Sequence, residues 1–260
     1  MHVSGRGTQP MVFAHGFGCD QNMWRFMTPA FDDDYRIVLF DYVGNGKSDL
    51  AAYDAERYAS LDGYAQDIID IVRELDLREV ILVAHSVSSM ISVLAAIAEP
   101  DRFARLVLIA PSPSYLNEPG GYRGGFERSD IEGLLELMDK NYIGWANFLS
   151  PMVMKNDQRP ELTRELNESF CSTDPVIARQ FAEVTFLSDN RADLAMLRVP
   201  ALVLQCSDDS LAPPGVGEFV AASVPDAAFR QLAATGHCPH MSHPDETIAV
   251  IREHLAGIAG

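Results

Sequence analysis

Val80-Ile81-Leu82-Val83-Ala84-His85-Ser86-Val87-Ser88-Ser89-Met90 passes from a β-branched apolar run, through small residues, into a helix-compatible stretch that continues to Ala98. That change of character within a few residues is the mark of a strand, a sharp turn and a helix, with a serine on the turn. A serine so placed stands at the carboxyl end of a buried strand with its hydroxyl exposed, and the amide of the next residue, Val87, is free to donate a hydrogen bond. The Gly-x-Ser-x-Gly pattern of such a turn is present with both glycines replaced, by Ala84 and Ser88. Strand and helix backbones pass close together there, and alanine and serine are the least bulky alternatives to glycine. Taken alone, the string also fits a serine capping an ordinary buried helix, so Ser86 needs partners elsewhere in the chain.

The flanking sequence alternates. Met11 to Ala14, Arg36 to Asp41, Val80 to Ala84, Arg105 to Ala110 and Val199 to Cys206 read as buried strands, with Ala228 to Leu232 as a last short one. Tyr64 to Leu75 has apolar residues at helical spacing and delivers the chain to the Val80 strand, while Gly215 to Ala222 and Pro244 to Leu255 are further helices. Strands alternating with helices predict an α/β chain with a mostly parallel sheet, helices on both faces and a site at the carboxyl ends of the strands. The alternation stops between residues 116 and 188, where four helical stretches and many aromatics follow one another: Ile131 to Met138, Trp145 to Met154, Pro160 to Phe170 and Pro175 to Phe186. An all-helical insertion in such a chain is most simply a cap over the active-site edge. The expected organisation is therefore a core of residues 1–115 and 189–260 with a helical cap at 116–188.

Composition narrows the function. The chain has 260 residues, 47% of them hydrophobic and 22% charged, as an ordinary soluble globule does, and a formal net charge of -17. So acidic a protein lacks the clustered cations that displace counterions from nucleic acid or bind anionic membranes. No apolar signal core opens the sequence and no run reaches the length of a membrane span, so the chain reads as cytoplasmic. Cys19, Cys171, Cys206 and Cys238 show no C-x-x-C spacing and are assigned no chemistry. Gly46-Lys47-Ser48 imitates the end of a phosphate loop, but the glycine such a loop needs at position 41 is an aspartate, so the segment is read as a tight turn.

Nucleophilic acyl transfer needs a base to take the serine proton and an acid to orient that base. Asp209 follows the Val199 to Cys206 strand, and His237 follows the last strand, giving the order Ser86, Asp209, His237 of the α/β-hydrolase fold. Asp208 is the rival acid, one residue out of register. His15-Gly16-Phe17-Gly18 emerges from the first strand, and the amide of Phe17 is the second candidate oxyanion donor beside Val87. His237, His240 and His243 also resemble a metal cluster, but no acidic partner completes a metal site, and no metal or cofactor is called for. His15 and His85 read as structural.

Seven strings carry a family likeness: His15 to Gln21, Phe40 to Asp49, Leu61 to Asp67, Pro113 to Asn117, Asn141 to Trp145, Phe170 to Phe181 and Gly236 to Pro244. They resemble the RsbQ family of bacterial stress regulators, α/β hydrolases similar to the plant strigolactone and karrikin receptors. The resemblance implies a four-helix cap over a deep apolar pocket, with Ser86, Asp209 and His237 as the triad. It also implies Phe17 and Val87 as oxyanion donors, and Phe126, Trp145, Phe148, Phe181 and Phe186 as pocket walls. The implied function is hydrolysis or sensing of a small apolar ester or lactone, with a PAS-containing PP2C-type phosphatase as partner; a catabolic enol-lactone hydrolase is the alternative enzyme. Against the family pattern, the elbow lacks both glycines and the short N-terminus leaves little sequence for a first strand.

Overall fold

A computed structural model describes residues 1–256 of the chain; the last four residues of the expected second core segment lie outside them. Seven strands form one sheet: β1 (His2–Ser4), β2 (Pro10–Ala14), β3 (Arg36–Leu39), β4 (Val80–His85), β5 (Phe103–Ile109), β6 (Ala201–Asp208) and β7 (Ala227–Thr235). Their order across the sheet is β1-β3-β2-β4-β5-β6-β7, and every pairing is parallel except that of β1 with β3. The N-terminus thus adds a three-residue antiparallel edge strand where little was expected.

Among the described residues nine α-helices accompany the sheet: α1 (Leu61–Glu74), α2 (Val87–Ala98), α3 (Arg128–Lys140), α4 (Tyr142–Met154), α5 (Pro160–Ser172), α6 (Pro175–Leu187), α7 (Pro214–Ser223), α8 (Pro239–Ser242) and α9 (Pro244–Ala256). β2 and β4 are buried along their whole length, which is why they read as unbroken apolar runs instead of alternating ones. The chain crosses from β3 back past β2 to β4, so the carboxyl ends of β2 and β4 flank a point where the winding reverses. Such a point leaves a crevice for a ligand. The segment after β2 carries Phe17; the residue after β4 is Ser86.

The helices between β5 and β6 start where their sequence permits. Asp174 accepts hydrogen bonds from the Val176 and Ile177 amides at the head of α6, with Pro175 in the first turn, where its missing N–H costs nothing. α4 stops at Lys155, which takes a left-handed conformation with φ 44°. The turn after β3 is built on Asp41, the residue that breaks the phosphate-loop pattern. Its carboxylate accepts from the Gln21 amide at 2.8 Å, the Gln21 side chain at 2.9 Å and the Lys47 amide at 3.0 Å. Among the described residues no helix is long and apolar enough to cross a membrane.

Candidate active site

β4 runs straight into the turn at Ser86, whose backbone stands at φ 58° and ψ -126°. A non-glycine residue pays of order 1–3 kcal/mol for such a conformation, and the surroundings must hold it there. They do so through the Ser86 amide, which donates to the Ile109 carbonyl of β5 at 2.9 Å. Val87 follows as the first residue of α2, where a backbone N–H has no carbonyl behind it in the helix to accept it.

Ser88 does more than stay small. Its hydroxyl donates to the carbonyl of His15 and lies 3.0 Å from the hydroxyl of the fully buried Tyr42. The side chain in the last place of the elbow motif thus ties α2 to the loop that carries Phe17. His15 is fixed at both ring nitrogens: Nε2 accepts from the Tyr42 amide at 3.2 Å, so Nδ1 carries the proton and donates to the Gly16 carbonyl at 2.9 Å.

Ser86, His237 and Asp209 form one hydrogen-bonded row. The Ser86 hydroxyl is 2.7 Å from Nε2 of His237, and Nδ1 of His237 is 2.8 Å from Oδ2 of Asp209. The other oxygen of Asp209 accepts from the amides of Leu211 at 2.8 Å and Ala212 at 3.1 Å. All three side chains are buried. Asp208, one residue earlier, turns outward to an exposed ion pair with Lys155 at 2.6 Å. His237 is held by its backbone too, since its amide donates to the Val153 carbonyl at the end of α4 at 2.8 Å. Gly236, at φ 81°, makes that approach possible, because a β-carbon there would sit 2.1 Å from the carbonyl oxygen of Met154.

The row borders a narrow cavity of about 20 Å³, room for roughly one water molecule. Of the expected wall residues, Phe186 lines it, together with Phe17, which was expected as an oxyanion donor. Trp145 and Phe181 stand one layer behind, their rings 6.0 Å and 5.4 Å from that of Phe17. Phe126 is not a wall: it is half-buried, and its amide donates to the Tyr115 carbonyl at 3.0 Å. Phe148 is not one either, being 54% exposed. α4 turns Trp145, Leu149 and Val153 inward, four residues apart, which rotates Phe148 to the outer face. The walls that sequence reasoning left out include Tyr115, Leu149, Val153, Phe170 and Thr185. The spacing of Trp145, Leu149 and Val153 was the available signal for two of them.

The sequence profile of the alpha/beta hydrolase family matches residues 11–250. The chain belongs to that family. This hydrolase is 38% identical over 254 residues to the karrikin insensitive 2 receptor CA of Petunia hybrida, covering 97% of this chain and 94% of the relative. It is 35% identical over 256 residues to a strigolactone esterase of Arabidopsis thaliana, covering 98% and 95%. Among solved structures, a hydrolase from Oleispira antarctica superposes with a TM-score of 0.96 at 45% identity, over 98% of this chain and 93% of that one. An enol-lactonase from Burkholderia xenovorans, at TM-score 0.85 and 18% identity with 98% and 95% covered, shares the fold.

Beside the row of this α/β hydrolase lies a cluster of tilted imidazoles. The His85 ring is 5.0 Å from that of His237 and 4.4 Å from that of His240, which in turn lies 4.6 Å from the Trp24 ring. Both ring nitrogens of His240 are buried without a partner. His243 points elsewhere, with Nδ1 2.9 Å from the Ser242 hydroxyl. Among the described residues no three His, Cys, Asp or Glu side chains converge as metal ligands. Burial lowers His240 from the ordinary imidazole value of 6.5 to about 3, helped by the nearby His237 and Arg25. The unfolded chain therefore takes up a proton at this position between those values while the folded chain does not. The stability gained by keeping His240 neutral is whole above pH 6.5 and drains away as the pH falls toward 3. His240→Phe keeps a ring against Trp24 and removes two unpartnered nitrogens, so it is expected to hold or raise stability at neutral pH by about 1 kcal/mol. It is also expected to flatten the acid loss of stability, as urea unfolding at neutral pH and at about pH 4.5 will show. An equally steep acid loss in the variant would clear His240 of that role.

Proposed function

We propose that this chain is a serine hydrolase that cleaves a small apolar ester or lactone through an acyl-enzyme, with Ser86 as nucleophile, His237 as base and Asp209 as the acid that orients it. The observation that carries this reading is the unbroken row from Ser86 through His237 to Asp209 at the wall of an apolar cavity. His237 Nε2 takes the Ser86 proton as Oγ attacks the carbonyl. The imidazolium so formed is stabilised by Asp209, which stays ionised. The amides of Phe17 and Val87 donate to the oxygen that becomes negative, and His237 then gives its proton to the leaving alkoxide. Water, activated by the same histidine, releases the acid and restores Ser86.

Residues 116–188 act as a cap, for their helices supply Leu149, Val153, Phe170, Thr185 and Phe186 to the cavity wall. That wall excludes water, which strengthens every charge interaction inside. It holds no Arg or Lys among the described residues, which favours an uncharged substrate over the acidic lactone of an enol-lactone hydrolase. All four cysteines are free, as in a reducing cytoplasm.

Intact-mass spectrometry after incubation with a panel of small aryl esters and lactones tests the reading. An acyl adduct is expected on the native chain and none on Ser86→Ala; an adduct of equal yield on both would overturn it.

A second reading is an RsbQ-like sensor in which the bound or hydrolysed ligand changes binding to a PAS-containing PP2C-type phosphatase. It is favoured by the likeness, at 38% identity, to a protein named a receptor. Ligand-dependent binding of this chain to a purified phosphatase of that type supports it; binding to none, with rapid ester turnover, counts against it.

A further inference from the structure

His85, the last residue of β4, is a covalent neighbour of Ser86 and is buried. Its Nε2 lies 2.8 Å from the backbone carbonyl of His237. A carbonyl oxygen only accepts, so Nε2 carries the proton and Nδ1 is bare. Nδ1 has no partner and is pressed against the loop of Phe17: a β-carbon on Gly16 would lie 2.5 Å from it and 3.4 Å from the β-carbon of Ser86. His237 is consequently gripped at both backbone groups, its amide by Val153 of α4 and its carbonyl by His85 of β4.

The two grips are not equivalent. Val153 belongs to the helices that close the cavity. His85 belongs to the strand that also carries the nucleophile, so one peptide bond and one hydrogen bond join Ser86 to the backbone of His237. Apart from that link, the two residues are joined by the hydrogen bond between their side chains, the one that must be kept in register. Burial holds the His85 imidazole well below its ordinary range, with nearby His240 and His237 adding to the effect, so it remains a neutral donor.

We propose that His85 is a positioning residue for the reaction: its Nε2–H, donated to the His237 carbonyl, sets the base in register with Ser86. This rests on the hydrolase reading of the site, but geometry and turnover can be measured separately.

Three variants of the full chain test it. His85→Gln keeps an amide N–H at about the reach of Nε2. His85→Leu keeps bulk without a donor, and His85→Asn keeps polarity but falls short by one carbon. The first readout is the downfield proton resonance of the His237–Asp209 hydrogen bond, which requires no substrate and no turnover. It is expected to broaden or vanish in the Leu and Asn variants and to persist in Gln. The second is the kinetics of a small aryl ester, where kcat is expected to fall by about 100-fold in Leu and Asn with KM little changed, as for a misplacement of roughly 1 Å, and to recover largely in Gln. If Leu does not fold, Asn carries the comparison. A native resonance in a folded Leu or Asn variant would overturn the proposal, as would equal impairment of all three. Absence of any ester turnover in the native chain would sink the hydrolase reading, while the resonance would still decide where His85 holds the base.

Discussion

Ser86→Ala is expected to lower kcat for a small aryl ester by about 10⁴-fold or more while leaving thermal unfolding little changed. The Ser86 hydroxyl is 2.7 Å from Nε2 of His237 and has the Tyr115 hydroxyl as its further neighbour, whereas the strained backbone at φ 58° is held by the hydrogen bond from the Ser86 amide to the Ile109 carbonyl. Alanine keeps that amide and removes only the attacking oxygen. The same variant separates the two proposed functions. An uncleaved ester should still bind it, because the walls of the cavity are untouched; binding without turnover is what equilibrium titration should show. Hydrolysis at the native rate in the alanine variant would exclude Ser86 as nucleophile.

Asp209→Asn is expected to cost about 10⁴-fold in kcat, through a proton in the wrong place and not through lost packing. The carboxylate's Oδ1 accepts from two amides, Leu211 and Ala212, and Oδ2 faces Nδ1 of His237. An asparagine in this frame must keep its oxygen toward the two amide donors, which turns its NH₂ toward His237. The imidazole then presents a bare Nδ1 and carries its proton on Nε2, so it has no lone pair to receive the Ser86 proton. The check is twofold: kcat against a small aryl ester, and nitrogen NMR of the histidine tautomer. A native tautomer with native kcat would remove Asp209 from the mechanism and reopen the question for Asp208.

How far the sequence could be read depended on whether a signal was periodic. Buried parallel strands announce themselves as apolar runs, and the strand before Ser86, the aspartate after β6 and the histidine after β7 could be placed by that alternation alone. The four helices between β5 and β6 could be located by their spacing, but their rotation could not. Phe148 and Leu149 differ by about 100° around α4, and the larger, aromatic residue is the one that faces out. Pairs formed across long stretches of chain left no trace. Ser88 looked like a substitute for glycine, and its hydrogen bond to His15 and contact with Tyr42 depend on three segments meeting. The bond from His85 to the His237 carbonyl likewise exists only once β4 and the loop after β7 are side by side.

Val153 is at once a wall of the cavity and the partner of the His237 amide. A space that admits about one water must widen before any ester enters. Widening on the α4 side stretches the bond that seats the base. The bond from His85 to the His237 carbonyl comes from β4 and is not touched by such a movement, so the two holds on His237 differ in their exposure to the traffic of ligand. One turn of α4 thereby serves both the room for a guest and the seat of the imidazole.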